Sequence, residues 1–334
     1  MKRVPIFFTF DNNYVMPAAV AFYSLINKAH KDIAYNMYVL HSDITDENQK
    51  ILSDIVDKFI NSTLEFIDTK GFLKAEWNNG NFDGHNKKNQ FTCDAIVRCF
   101  AARFFPQYDK IIYSDVDIVV QDDISELFDI DLEERYFAGV KNPFIKWLPN
   151  ELSHLKSEHY EKLKDSYIAG GIWVMNLKKI REDNLEQRMF EIINDETIVK
   201  RWPDQDIMNI ACENKVGFLP LNYISYPYLL DVLSKNDFVS PYSRNELYDS
   251  IINPKIIHYA AVKPWKNSSI DYAINWWTIF KYLNLPFVPK VKFVGKNILK
   301  ERCKKYKKRY KLFMFLFILM LLIQFVLILI KIHI

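Results

Sequence analysis

The chain has few glycines, and none of them forms a phosphate-binding loop. Only eight of its 334 residues are glycine, and neither a G-x-G-x-x-G nor a Walker A sequence occurs. Two common backbone cradles for phosphate groups are therefore excluded. A nucleotide bound to this chain must have its phosphates neutralised by side chains or by a cation.

Cysteine is also scarce, and a secretory signal is not visible. The four cysteines show neither a C-x-x-C pair nor a zinc spacing. We expect no disulfide framework, so a reducing compartment fits best. The first ten residues, MKRVPIFFTF, contain a short apolar run and no cleavage site, so we expect no N-terminal export signal.

Charge is unevenly distributed along the chain. Residues 300–311 hold eight Lys or Arg and one Glu, whereas the net charge of the whole chain is only +3. The remainder therefore carries net negative charge. Because nucleic-acid binders carry positive charge on the folded domain, we expect no nucleic-acid partner.

A long hydrophobic run follows this basic cluster. Residues 312–330 contain eighteen apolar residues and Gln324, and as a helix they would be about 28 Å long. We predict a transmembrane or membrane-anchoring helix in contact with lipid; a helix packed on a hydrophobic partner is the alternative. The positive-inside rule places the basic cluster and the body on the cytoplasmic side, at the inner membrane if the source is bacterial.

The rest of the sequence predicts one α/β domain over residues 1–285, followed by a basic membrane-proximal segment over 286–311. Its first third alternates strand and helix, which indicates a parallel sheet with helices on both faces. Predicted strands cover 4–10, 35–42, 62–68, 110–120, 136–140, 170–176 and 256–260. Predicted helices include 45–59, with Thr45 as its N-cap, 92–104, 150–164, 178–194 and one beginning near 204.

The strand at 110–120 reads KIIYSDVDIVV and contains Asp115 and Asp117. Alternate residues of an extended strand point the same way, so both carboxylates face one spot and suit a hard divalent cation. The carboxyl end of a strand is also where open α/β sheets bind ligands. The alternative is a solvated strand end without a ligand.

Five sequence blocks occur in the order found in one family. They are FTFDNNY, IIYSDVDIVVQDDISELFDIDL, GGIWVMNLKK, PDQDIMN and IIHYAAVKPW. Over residues 4 to about 280 the chain resembles glycosyltransferase family 8, retaining enzymes that include lipopolysaccharide galactosyl- and glucosyltransferases and glycogenin. The resemblance implies a GT-A type, Rossmann-like fold with a mixed central sheet. It also implies transfer of galactose or glucose from a UDP-sugar to a glycan or glycolipid hydroxyl, in lipopolysaccharide or another cell-surface glycan.

The resemblance assigns the metal and the diphosphate. It makes Asp115, Asp117 and His258 the metal ligands, and the imidazole favours Mn²⁺, with Mg²⁺ as the alternative. It pairs Lys263 with the donor diphosphate. Taken alone, His258 would be a core histidine and Lys263 a solvated lysine before Pro264.

The nucleotide pocket is assigned in the same way. The resemblance implies that Asp11 meets the uracil edge, that Tyr14 stacks on it, and that Asn13 lies beside them. Main-chain contacts would come from Thr9 and from Val116 between the two aspartates. Without the resemblance, residues 11–14 read as an Asx-rich turn after a strand.

Three residues are assigned to the reacting sugar. Arg98 resembles the arginine that reaches sugar and phosphate; its alternative is a surface arginine on a helix. Asp204 would bind sugar hydroxyls and Gln205 would lie near the anomeric carbon. Both also fit a helix start after Pro203, with acids that complement the helix dipole. Since glutamine is a poor nucleophile, a front-face substitution is expected.

The sequence departs from the family pattern at three positions. Ala169 stands where an asparagine is frequent, Ala261 where a glycine is usual, and Asn142 where many members carry an acid. The donor sugar is therefore left open. The aromatic segment 222–230, NYISYPYLL, either lines a sugar groove or belongs to the core.

Two other functions fit parts of the sequence. The D-x-D after a hydrophobic strand also matches a haloacid-dehalogenase-type phosphatase, in which one aspartate is the nucleophile. The chain could also be a membrane-tethered nucleotide-sugar-binding protein without catalysis. The oligomeric state is not readable.

Overall fold

The structure is a computed structural model. It describes residues 1–60, 62–73, 94–146, 152–213, 215–235 and 237–289. The strands are β1 Lys2–Thr9, β2 Ile33–His41, β3 Thr63–Asp68, β4 Lys110–Ser114, β5 Ile118–Val120, β6 Phe137–Lys141, β7 Ile168–Asn176, β8 Val216–Phe218 and β9 Ile256–His258.

The α-helices of the described residues surround these strands. They are α1 Val15–Lys28, α2 Asp46–Val56, α3 Asp94–Val97, α4 Ala101–Phe104, α5 Ser157–Leu163, α6 Leu177–Glu182, α7 Leu185–Asn194, α8 Pro203–Cys212, α9 Leu229–Leu233, α10 Arg244–Ile252 and α11 Ala273–Leu283. Short 3₁₀ helices are formed by Asn12–Tyr14, Arg98–Phe100, Ser125–Asp129 and Leu221–Tyr223.

Seven strands form one mixed sheet in the order β3-β2-β1-β4-β7-β6-β8. The first four of these are mutually parallel, β7 runs antiparallel to both β4 and β6, and β8 is parallel to β6. The predicted parallel β1–β3 unit and the mixed central sheet are therefore confirmed. The apolar run of β1 is buried from Val4 to Phe8 because helices cover both faces of the sheet.

The predicted single strand over 110–120 is wrong. It is two strands, because the chain bends at residues 115–117 and passes from the large sheet into a second, two-stranded sheet. In the large sheet β4 pairs with β1 and β7, whereas β5 pairs antiparallel with β9. Both segments are rich in apolar, β-branched residues. The hydrophobic strand pattern of the sequence therefore continues on both sides of the bend and does not reveal it.

Two predicted helices are also interrupted. The helix expected over 178–194 is divided into α6 and α7 at Asn184, which has a left-handed backbone with φ of 49°. The helix expected over 92–104 contains the 3₁₀ turn Arg98–Phe100 between α3 and α4. The predicted start near 150 lies outside the described residues, and α5 begins at Ser157. The cap predicted at Thr45 is confirmed, since its hydroxyl accepts from the Asn48 N–H.

No helix among the described residues is long and apolar enough to cross a membrane. The predicted anchor over 312–330, and all but the first four residues of the predicted segment 286–311, lie outside the described part of the chain. The domain boundary predicted at residue 285 stays a prediction.

Candidate active site

The bend between β4 and β5 carries Asp115 and Asp117 and is fixed to both sheets. The Asp115 N–H donates to the carbonyl oxygen of Gly171 in β7 at 2.9 Å. The carbonyl oxygen of Asp117 accepts from the Tyr259 N–H at 2.9 Å, just after β9. The two aspartates are therefore positioned by different sheets, rather than by the alternation of one strand.

His258 lies close to both carboxylates of this pair. Pairing of β5 with β9 places His258 opposite Ile118, and its Nε2 lies 3.3 Å from Asp115 Oδ2 and 3.2 Å from Asp117 Oδ1. A Cβ at Gly171 would come within 2.7 Å of His258 Nδ1. The missing side chain at Gly171 thus makes room for the imidazole.

These three side chains fit a divalent cation. Their ligand atoms all lie within 4.8 Å of one another. Two carboxylates and an imidazole are a donor set suited to Mn²⁺ and usable by Mg²⁺. The sequence-based prediction that Asp115, Asp117 and His258 converge is therefore confirmed as geometry, while the identity of the metal stays a prediction.

Neighbouring positive charges keep both aspartates of the cluster ionised. Burial opposes ionisation of both aspartates, yet Arg98 and His258 hold the pKa of Asp115 below its ordinary value. Lys263 and His258 hold the pKa of Asp117 far below its own. Although burial opposes its charge, Asp117 and Asp115 raise the pKa of His258 to about 9. Without metal, a proton on His258 offsets the two carboxylates.

Lys263 lies between the cluster and the rings of Tyr14 and Trp265. Its ammonium donates to Asp117 Oδ2 and lies 6.0 Å from the ring centroids of both Tyr14 and Trp265. The rings of Tyr14 and Trp265 pack edge to face. Despite its burial, the pKa of Lys263 is raised by Asp117, so the ammonium stays charged. The alternative of a solvated lysine is wrong, because this side chain is 14% exposed.

Arg98 joins the metal end of the site to helix α8. Its Nη1 donates to Asp115 Oδ1 at 2.7 Å and to Asp204 Oδ2 at 3.1 Å. The guanidinium carbon lies 4.5 Å from the centroid of the Tyr113 ring, and the Tyr113 hydroxyl also donates to Asp115. Arg98 is 8% exposed, so the alternative of a surface arginine is wrong.

Asp204 and Gln205 occupy the first turn of α8, as predicted, with Pro203 at its first position. Burial raises the pKa of Asp204 to about 6, with Arg98 acting in the opposite direction. Gln205 is half-buried, and a Cβ at Gly170 would lie 3.3 Å from its Nε2. The consecutive glycines of β7 therefore leave space for two neighbouring side chains, since Gly171 faces His258 and Gly170 faces Gln205.

The predicted nucleotide residues lie at the end of β1. Thr9 is buried, and its Oγ1 has no hydrogen-bond partner among the described residues. Asp11 Oδ1 accepts from the Asn13 N–H at 3.0 Å, which forms the expected Asx turn. Val116 is buried between the two aspartates. The roles of these residues in nucleotide binding stay predictions.

The three departures from the family pattern have different settings. Ala261, in place of the usual glycine, has a left-handed backbone with φ of 62°, which costs a non-glycine residue about 1 kcal/mol. Ala169 is buried in β7, and its carbonyl accepts from the Trp173 indole N–H. Asn142 Oδ1 accepts from the Phe144 N–H in a turn after β6.

Part of the aromatic segment 222–230 borders a cavity, and one ring of that part, Tyr226, also packs near His258. The rings of Tyr226 and His258 are 5.8 Å apart. A cavity of about 310 Å³ is lined by Tyr226, Pro227, Leu230, Ile251, Asp271 and Tyr272. Tyr223, by contrast, is buried and donates to Glu126. The segment thus contributes both to the core and to a concave surface.

Sequence reasoning missed Tyr113, Gly170 and Gly171. The glycine pair carried a usable signal, because two adjacent glycines inside a buried strand indicate close approach by other groups. Tyr113 lies two residues before Asp115, and residues two apart in a strand point to the same side.

Comparisons with known proteins identify the family of this chain. The family model described as "Glycosyl transferase family 8" matches residues 5–269. A lipopolysaccharide 1,2-glucosyltransferase of Escherichia coli is 25% identical over 298 residues, which cover 84% of this chain and 80% of the relative. This match decides against the phosphatase alternative.

Two solved structures share the fold. The apo structure of the bifunctional glycosyltransferase WbbM has a TM-score of 0.69 at 25% identity and covers 85% of this chain and 50% of that one. The galactosyltransferase LgtC, in complex with donor and acceptor sugar analogues, has a TM-score of 0.67 at 19% identity, with 86% and 98% covered. The mixed α/β fold is therefore GT-A-like, and the chain is a glycosyltransferase that belongs to glycosyltransferase family 8.

Proposed function

We propose that this enzyme transfers a hexose, galactose or glucose, from a UDP-sugar to a hydroxyl group with retention at the anomeric carbon. The observation that carries the proposal is the contact of Arg98 with both Asp115 and Asp204. One guanidinium joins the cation cluster to the residues assigned to the sugar. The diphosphate would lie beside Lys263 and the cation cluster, with uridine toward Thr9, Asp11, Asn13 and Tyr14.

The chain's own residues would act on the leaving group and on the sugar. A divalent cation held by Asp115, Asp117 and His258 supplies positive charge to the diphosphate when bound. Lys263 adds a second positive charge as the sugar–phosphate bond breaks. Asp204, ionised near neutral pH, accepts hydrogen bonds from sugar hydroxyls while Arg98 fixes its orientation.

A front-face substitution fits the groups available. The acceptor oxygen forms the new bond to the anomeric carbon on the side from which UDP departs, and the acceptor proton passes to the departing phosphate. Gln205 is a poor nucleophile. Asp206 is fully buried, and both of its carboxylate oxygens already accept hydrogen bonds from protein groups. Asp204 is paired with Arg98 and is assigned to the sugar hydroxyls. A covalent intermediate therefore has no free attacking group.

A donor panel tests this proposal. We expect Mn²⁺-dependent release of UDP from UDP-glucose or UDP-galactose, its loss with EDTA, and an α-linked product by NMR. An inverted product would exclude retention. UDP binding without hydrolysis or transfer would favour the non-catalytic binding protein, and turnover of UDP-N-acetylhexosamines alone would exclude a simple hexose.

We further propose that the acceptor is a membrane glycolipid such as lipopolysaccharide. The hydrophobic run 312–330 and the preceding basic cluster support a membrane-bound enzyme with a cytoplasmic body, and the Escherichia coli relative supports the acceptor class. The enzyme should stay in the membrane pellet after an alkaline carbonate wash. Its recovery in the supernatant would contradict the anchor.

The cavity beside Tyr226 is our candidate for the acceptor. Its volume of about 310 Å³ can hold a sugar ring, and aromatic rings offer flat apolar faces to sugars. Leu230→Trp should fill this space and raise the KM for acceptor about tenfold while donor hydrolysis is retained. An unchanged acceptor KM would place the acceptor elsewhere.

A further inference from the structure

Behind the first turn of α8 lies a buried polar cluster around Asp206. Tyr167 Oη donates to Asp206 Oδ1 at 2.7 Å. His154 Nε2 and the Trp202 N–H lie 2.9 Å from Asp206 Oδ2. The side chain of Asp206 is 0% exposed and that of His154 is 2% exposed.

These contacts identify the donor and acceptor atoms of the cluster. A carboxylate can only accept, so His154 donates through Nε2. The Trp202 contact ties Asp206 to the residue just before α8, and the Asp206 N–H in turn donates to the Trp202 carbonyl at 2.7 Å. The cluster therefore closes a ring of hydrogen bonds around the segment that contains Asp204 and Gln205.

Asn209, one turn further along α8, fixes the same helix to the sheet. Its Oδ1 accepts from the Ile168 N–H at 2.8 Å, and its Nδ2 donates to the carbonyls of Ile168 and Gln205 at 2.9 Å. The start of α8 is thus held from two directions, by β7 through Asn209 and by the segment before α5 through His154.

We infer that His154, acting through Asp206 with Tyr167, is a positioning residue that sets the orientation of Asp204 and Gln205 toward the reacting sugar. The inference rests on the proposed function for its catalytic consequence. Its structural part, the orientation of the α8 start, is independent of the substrate. Displacement of a reacting group by about 1 Å can lower a rate roughly 10²-fold, so the effect should appear in kcat rather than in donor binding.

Four variants of the full chain test the inference. His154→Leu removes the donor to Asp206, His154→Gln keeps an N–H donor, and Tyr167→Phe removes the second donor. His159→Gln is the matched control, because the Nε2 of this α5 histidine lies 3.7 Å from Glu158 and its buried Nδ1 has no hydrogen-bond partner among the described residues.

Two readouts separate the inference from the proposed function. With the UDP-hexose that the wild type turns over fastest, His154→Leu should lower kcat 10- to 100-fold with donor KM within about twofold, and His154→Gln should restore at least half of the loss. Hydrogen exchange of residues 201–208 should be at least about tenfold faster in His154→Leu and Tyr167→Phe, with the protection of β1 and β2 retained.

Wild-type exchange rates over 201–208 in His154→Leu would overturn the inference whatever the substrate. Equal kcat losses in His154→Leu and His154→Gln would also overturn it, because a general packing role predicts no rescue by a retained donor. A wild type that turns over no UDP-hexose would overturn the proposed function, while the exchange result still decides the positioning role.

Discussion

The chain carries three Asp-x-Asp sequences, at residues 115–117, 129–131 and 204–206. Two of them belong to the candidate site, one between two strands and one in the first turn of a helix. In the bend, Asp115 and Asp117 converge, and His258 touches both. In α8, Asp204 and Asp206 diverge because residues two apart on a helix are separated by about 200°. One of them pairs with Arg98 and the other with His154 and Tyr167.

The difference shows what the spacing alone leaves undecided. Converging carboxylates repel each other, so the first pair depends on Lys263, on a proton at His258 or on a bound metal. Diverging carboxylates find separate donors, so the second pair orients its surroundings without a metal. A D-x-D sequence therefore indicates a cation site only where the backbone lets the two side chains meet.

Loss of one carboxylate from each pair should separate the two roles most strongly. Asp117→Asn removes an anionic ligand and the negative charge that Lys263 and His258 share, so we expect Mn²⁺-dependent turnover to fall about 10³-fold. Asp206→Asn should leave Mn²⁺ affinity within about twofold of wild type. Calorimetric Mn²⁺ titration and kcat/KM measure both effects, with the exposed Asp165→Asn as control. A large loss of Mn²⁺ affinity in Asp206→Asn would remove the distinction.

Substitution of the two adjacent glycines of β7 should give a smaller effect, measured as a loss of stability. It compares a residue that faces the cation cluster with one that faces α8. Gly171→Ala places a Cβ 2.7 Å from His258 at a φ of +116°, so we expect a loss of about 3 kcal/mol in the free energy of unfolding. Gly170→Ala meets only the flexible Gln205 side chain at 3.3 Å and should cost at most about 1 kcal/mol. Urea unfolding in EDTA gives both values. Equal losses in the free energy of unfolding would show that the His258 side chain can move aside as readily as that of Gln205.

The proton on His258 predicts a pH dependence of stability at the converging pair, in a range above that in which Asp204 titrates. The pKa of His258 is about 9 in the fold against an ordinary 6.5, so the folded chain binds more protons between these values. This stabilisation is fully present below about pH 6.5 and is lost as the pH rises through about 9. In EDTA, the Tm should therefore fall further over this window in the wild type than in His258→Gln. Parallel pH profiles would contradict a charged His258.

The smallest effect concerns Ala261, in the loop between His258 and Lys263. Its left-handed backbone suits glycine, so Ala261→Gly should stabilise the fold by roughly 0.5–1 kcal/mol. Ala169→Gly, in the extended strand β7, should destabilise it instead. Comparison of Tm values measures both. A decrease in Tm for Ala261→Gly would mean that unfolded-chain entropy outweighs the backbone strain.

The sequence was informative where a pattern maps onto one backbone geometry. The buried strands around Val4–Phe8, the cap at Thr45 and the helix start at Pro203 follow from local residue preferences. The break between β4 and β5 could not be predicted, because it depends on pairing with β7 and β9, which lie far away in the sequence. For the same reason the resemblance supplied His258, whereas Tyr113 and His154 appear only through tertiary contacts.

The segment from Asp115 to Asp117 connects two different sheets, and this arrangement also has a consequence for folding. Lys263 and Asp117 are 146 residues apart in the sequence, and β9 must pair with β5 before His258 reaches the two aspartates. Contacts over such distances form late because the loop-closure entropy must be overcome first. Asp115 and Asp117 therefore leave the ribosome long before the cation site exists, and metal added during refolding should act only after both sheets have formed.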